Sequence, residues 1–118
     1  MKATFIYDEK KYNSFNKLRF IEGSFGFDII FTVTNDAGEI VDLSTKDVLL
    51  QIKDIAGPTL KNIDLVYDSD GSDGKVRWEV AETDLNLYTV FDTEITVINN
   101  GVSEKKFNIG LLTVVKEL

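Results

Sequence analysis

The strongest constraint on how this chain can fold is a strict two-residue alternation. Phe25, Phe27, Ile29, Phe31 and Val33 fall on one face of an extended segment, and Ser24, Gly26, Asp28, Ile30 and Thr32 fall on the other. Successive side chains of a strand point to opposite faces, so Phe25 to Val33 reads as a half-buried strand. The same period returns at Val48, Leu50 and Ile52, at Ile63, Leu65 and Tyr67, and at Val76, Trp78 and Val80. It returns again at Phe91, Thr93, Ile95 and Val97, then at Phe107, Ile109, Leu111, Thr113 and Val115. Ile40 to Leu43 continues extended, and Ala81 to Leu87 accommodates at most one short helical turn.

Turn chemistry separates these segments. Asn35-Asp36-Ala37-Gly38 and Asn99-Asn100-Gly101 supply residues that tolerate positive φ, and Asn-Gly is a strong hairpin signal. Ala56-Gly57-Pro58 holds the one proline, which cannot donate to a ladder. The expected fold is therefore all-β: an immunoglobulin-like β-sandwich of seven to eight mostly antiparallel strands. A small closed barrel is the second architecture. With 118 residues, one domain spanning 1–118 is expected. Residues 1–16 stand slightly apart. Ala3, Phe5 and Tyr7 alternate with Thr4, Ile6 and Asp8, and a polar stretch follows. This segment reads as a first or edge strand, or as an arm that pairs with a neighbouring subunit, which makes Phe5, Ile6 and Tyr7 candidate interaction residues.

Composition narrows the chemistry. The chain has no cysteine and no histidine. It therefore has no disulfide framework, no thiol nucleophile, no Ser-His-Asp arrangement and no histidine-ligated metal site. The net charge of −7 repels phosphate, so nucleic acid and anionic membranes are poor partners. Acids appear at Asp8 and Glu9, before any apolar run of signal-peptide length, so a chain made in the cytosol and not exported by the usual route is expected. No run approaches the roughly 18 apolar residues of a membrane span. No phosphate-cradling or nucleophile-elbow string occurs, and no cofactor is implied.

The most conspicuous local run is Tyr67-Asp68-Ser69-Asp70-Gly71-Ser72-Asp73-Gly74-Lys75. Read as a calcium loop, Asp68, Asp70 and Ser72 would take positions 1, 3 and 5, with Glu79 at 12. Asp73, however, stands at position 6, where the sharp turn needs glycine, and the flanks alternate like strands rather than helices. Asp68, Asp70 and Asp73 are thus weak metal candidates. The run is expected to be a mobile hairpin loop whose acids keep it solvated. The other acids, among them Glu79, Glu82, Asp84, Asp92 and Glu94, read as solvated faces rather than a catalytic pair. Trp78, in phase with Val76 and Val80, is expected in the core. Asp84-Leu85-Asn86-Leu87-Tyr88 has the form of a tyrosine corner, with Asn86 at its left-handed position and Tyr88 bonding back to nearby backbone.

These residues together resemble a known pattern. "IEGSFGFDIIFTVTNDAGEIVDLSTKDVLLQIKD", then "GKVRWEV", "LYTVFDTEITVINNG" and "FNIGLLTVV", are similar to the N-terminal domain of phage baseplate upper proteins. Phe31 to Ser44 carries the family's strand-turn-"DL" element, Val48 to Ile52 its next strand, Gly74 to Val80 its "G-x-v" strand, and Tyr88 to Val97 its last. The chain departs in carrying Leu87 where the family has glycine before tyrosine. The resemblance implies a non-enzymatic virion structural protein, immunoglobulin-like, in a tail, baseplate or head-surface assembly. It implies assembly in the host cytoplasm and multicopy contact with other virion proteins. A carbohydrate-binding or adhesin-type module is the alternative, motivated by the sandwich and its acid-rich loops.

Overall fold

A computed structural model of the chain describes residues 1–55 and 57–116. Among them, nine strands run in the order β1 (Lys2–Tyr7), β2 (Lys10–Tyr12), β3 (Arg19–Ile21), β4 (Asp28–Thr34), β5 (Asp47–Asp54), β6 (Thr59–Tyr67), β7 (Lys75–Glu79), β8 (Val90–Asn99) and β9 (Val102–Val115). One 3₁₀ turn, Phe15–Lys17, sits between β2 and β3. The all-β expectation is borne out. Every strand pair is antiparallel except β3 with β9.

The hydrogen-bonded order is β2-β1-β4-β7-β6-β5-β8-β9-β3, one curled sheet rather than two separate ones. Continuity passes through β6. It pairs with β5 up to Leu65, and then Val66 and Tyr67 pair with Arg77 and Val76 of β7. The count exceeds the seven or eight strands expected because β2 and β3 have three residues each, too few to show an alternation. Ile40 to Leu43, expected as extended strand, contributes a single bridge between Ile40 and Thr34. The first strong alternation also starts later than its pattern suggests. β4 opens at Asp28, and Phe25 precedes it, 56% exposed, between Gly23 and Gly26, both at positive φ. Of the break expected at Ala56-Gly57-Pro58, Ala56 lies outside the described residues. The turn closes with Gly57 N–H donating to the Asp54 carbonyl at 3.1 Å.

The alternating positions of β4, β5, β7 and β8 point into one core, whereas in β9 the expected run through Leu111, Thr113 and Val115 slips phase after Ile109, so that Leu112 and Val114 are buried and Leu111 is exposed. Ile29, Phe31 and Val33 of β4, Val48, Leu50 and Ile52 of β5, and Val76 and Trp78 of β7 are buried there, with Phe91, Ile95 and Val97 of β8. Each such side chain contributes about 1.5–3 kcal/mol relative to exposure. Residues 1–16 are not a free arm. β1 lies between β2 and β4 inside the sheet, with Phe5 buried and Tyr7 packed edge-on against Phe20 at 5.2 Å. An arm would leave both aromatic rings in water, so the inner face of β1 holds it in place. Of the three candidate interaction residues only Ile6 faces outward, and the edge strand is β2.

The segment from β2 to β3 joins the two ends of the sheet, because those two strands are its edges. Between them Phe15 is fully buried, its ring 4.5 Å from Phe5, 6.0 Å from Phe31 and 6.5 Å from Trp78. A bulge in β9 makes room for this plug. Thr93 faces Gly110 and Glu94 faces Asn108, leaving Ile109 as the extra residue. Gly110 sits at φ 110°, and a Cβ there would come within 2.8 Å of the Phe15 nitrogen. Only glycine allows the 3₁₀ turn to press against β9.

The β1–β2 hairpin turns on Asp8 and Glu9, at φ 51° and 63°. Two positive-φ residues in a two-residue loop mark a type I′ turn, for which Asn-Gly is preferred. Side chains pay about 1 kcal/mol in this conformation. The double change Asp8→Asn/Glu9→Gly is expected to raise unfolding stability by about 1 kcal/mol in urea denaturation. An unchanged or lowered midpoint would contradict the assignment.

Candidate functional site

The acidic run is a turn docked through its glycines, with Ser69, Asp70 and Ser72 exposed to solvent. Gly71 and Gly74 are buried at φ 85° and 70°. The Gly71 carbonyl accepts from Leu43 N–H at 2.9 Å, and the Gly74 carbonyl accepts from Val33 N–H at 2.8 Å. A Cβ on Gly74 would stand 2.9 Å from the Val33 carbonyl oxygen. The three weak metal candidates turn to separate partners. Asp68 Oδ1 accepts from Arg77 at 3.0 Å. Asp70 Oδ1 accepts from the Ser72 amide at 2.9 Å and from its hydroxyl at 2.6 Å. Asp73 accepts from the Lys75 amide at 3.1 Å and from the Ser69 hydroxyl at 3.2 Å. Ser72's two bonds hold the Asp70 carboxyl below its ordinary value, and Ser44 does the same for Asp42. Glu79 stands at the far end of β7, about 13 Å from Lys75. Among the described residues no group of three or more acids is arranged to hold a cation. The remaining acids also diverge: Glu94 pairs with Lys53 at 3.1 Å, and Asp92 accepts from Asn108.

The opposite end of the sheet has a different character. There β5 ends, β6 and β8 begin and β9 finishes, and the 81–89 connection crosses between them. This connection was expected to be a tyrosine corner, and it is built otherwise. Tyr88 precedes β8, 55% exposed, with the Lys116 ammonium 5.6 Å from its ring centre. Asn86 is absent from the residues at positive φ. The residue that enters the core is Leu85, and its burial turns Tyr88 outward.

Asp84 fixes this connection. Its Oδ2 accepts from the indole N–H of fully buried Trp78 at 2.9 Å and from the Ala81 amide at 2.8 Å. The Gly23 amide donates to the Leu85 carbonyl at 2.6 Å. From β6, Lys61 Nζ reaches across to Asn86 Oδ1 at 2.7 Å and to the Thr83 carbonyl. Burial holds the Lys61 ammonium below its ordinary pKa, opposed by the nearby Asp84 charge.

The outcome is an open cleft of about 560 Å³ walled by Leu60, Leu87, Tyr88 and Phe91, with Glu22 and Asp54 at its rim. Leu60, Leu87 and Tyr88 are each at least 43% exposed, as are Ile21 and Ile55, the chain neighbours of Glu22 and Asp54. Exposed apolar side chains gathered this way around one cleft make it the candidate binding surface. What the cleft offers is apolar contact with a polar rim, not a convergent set of reacting groups. Sequence reasoning singled out Asp84, Asn86, Tyr88 and Trp78 here but missed Leu60 and Leu87. Both carried a signal: Leu60 is out of phase with Ile63 and Leu65, and Leu87 interrupts a polar connection.

Comparison with protein-family models gives no match, and no curated protein is detectably similar in sequence.

If Asp84 anchors the cleft wall, Asp84→Ala leaves a buried indole N–H unpaired and is expected to cost about 1–3 kcal/mol. Asp84→Asn, which keeps an acceptor oxygen, should recover most of that loss. Thermal melts of the two variants give the comparison, and equal losses would contradict the anchoring role.

Proposed function

We propose that this protein is a non-enzymatic structural component of a bacteriophage particle, a docking module in a tail, baseplate or head-surface assembly. The observation that carries this reading is the exposed apolar end around Leu60, Leu87 and Tyr88, held in shape by the Trp78–Asp84 bond and by Lys61. Such a surface costs solubility unless something covers it. The sequence resemblance to the N-terminal domain of phage baseplate upper proteins supplies the setting, an immunoglobulin-like module among other virion proteins in many copies. Assembly would take place in the host cytoplasm.

A carbohydrate-binding reading draws on the same cleft, where Tyr88 offers an aromatic face beside the Glu22 and Asp54 carboxylates. The Lys116 ammonium lies over that ring and competes with a sugar for it. The docking reading is therefore preferred.

Mass spectrometry and immunogold microscopy of particles purified from the native host test the proposal. The protein is expected in the particles, and Leu60→Asp/Leu87→Asp is expected to fold yet be lost from them. Particles that lack the wild-type protein would overturn it.

A further inference from the structure

On an acidic protein, one segment is basic. Residues 10–19 carry Lys10, Lys11, Lys17 and Arg19 and no acid. Lysines on β2 have an ordinary use, since charge on an edge strand deters pairing with another chain. That use does not account for the surface just beyond β2. Lys11 and Lys17 border an open pocket of about 320 Å³ lined otherwise by Tyr12, Asn13, Ser14 and Asn16, with no carboxylate in its walls. The Ser14 hydroxyl donates to Asn16 Oδ1 at 2.7 Å, which fixes the pocket's polar floor. Among the described residues none of the four basic side chains makes an ion pair.

The same molecule carries the opposite charge on a docked turn elsewhere. The β6–β7 turn is a rigid knob, because Gly71 and Gly74 dock it on Leu43 and Val33. Asp70 is exposed at its tip, and exposed Asp42 lies beside it, since its neighbour Leu43 donates to the carbonyl of Gly71 at 2.9 Å. Asp70 on the turn and Asp42 on the β4–β5 connection beneath it are opposite in charge to the two ammonium groups of the polar pocket.

We propose that the Asp42–Asp70 knob of one copy docks in the Lys11–Lys17 pocket of a second copy, head to tail. The net charge of −7 on each copy opposes this at long range. At physiological ionic strength the screening length is about 8 Å, against a longest dimension of 42 Å, so the local opposite charges at the contact decide the sign. Arranged head to tail, with one knob in one pocket at each junction, the contact is heterologous. Each added copy presents a new knob or pocket, and the series closes into a ring or grows. The contact needs only two copies of this chain, so it stands or falls independently of the particle in which the protein works.

Sedimentation velocity of the purified chain in about 0.15 M salt, up to about 1 mM protein, tests it. The wild type is expected to self-associate with concentration. Lys11→Glu/Lys17→Glu, which reverses the pocket's charge, and Asp42→Asn/Asp70→Asn, which keeps an acceptor oxygen at each position, should each weaken association at least about tenfold while the chain stays folded by circular dichroism. Mixed one to one, the two variants should form a heterodimer and nothing longer, since one supplies only a knob and the other only a pocket. A wild type that stays monomeric, association that survives either pair of changes, or a mixture that forms no heterodimer would each overturn the proposal.

Discussion

The fold depends on the burial of one ring between the two ends of its own sheet. A nine-stranded open sheet has two edges, and here both edge strands, β2 and β3, come from a single short stretch of chain. Phe15, between them, packs on Phe5, Phe31 and Trp78 and so ties the β2 end of the sheet to the core that β9 covers from the other side. The curl, the continuous core and the placement of β3 beside β9 all follow from that closure. Gly110 is the concession β9 makes to it, a positive-φ bulge residue with no side chain to block the approach.

Much of this was legible in the sequence, and the parts that were not have physical reasons. Ile29, Phe31 and Val33, or Val48, Leu50 and Ile52, announce their strands because one buried face forces period two. β2 and β3 do not, since a three-residue strand has no period to read. Asn100-Gly101 declares its hairpin, and the turn indeed has φ 52° and 78° there, while Asp8-Glu9 makes the equivalent turn with residues that do not advertise it. The acidic run reads as a solvated loop because its aspartates are polar, and its tip is indeed exposed. What the sequence hides is that Asp70 and Asp73 bond within the turn, Asp68 accepts from Arg77 of β7, and the glycines between them carry the docking contacts. The tyrosine-corner pattern failed for a simple reason. Leu85, not Tyr88, was the apolar side chain best placed to enter the core, and a short connection can bury only one of them.

The same physics divides the surface. At one end, carboxylates are taken up in local hydrogen bonds and the backbone is pinned by buried glycines. At the other, the connection pinned by Asp84 and Lys61 displays Leu87 and Tyr88 instead of hiding them. A module with a rigid polar knob and a rigid apolar cleft is suited to being held by neighbours on more than one side.

Native-state hydrogen exchange on the wild type and Phe15→Ala tests the closure most directly. Truncating this ring is expected to cost about 3–5 kcal/mol. If Phe15 ties the edges together, the amides of β2, of β3 and of Thr113 to Val115 lose protection as one unit, ahead of those in β5 and β8. If β2 and β3 keep their wild-type protection while the loss spreads evenly through the core, Phe15 is an ordinary core residue and the sheet is closed by something else.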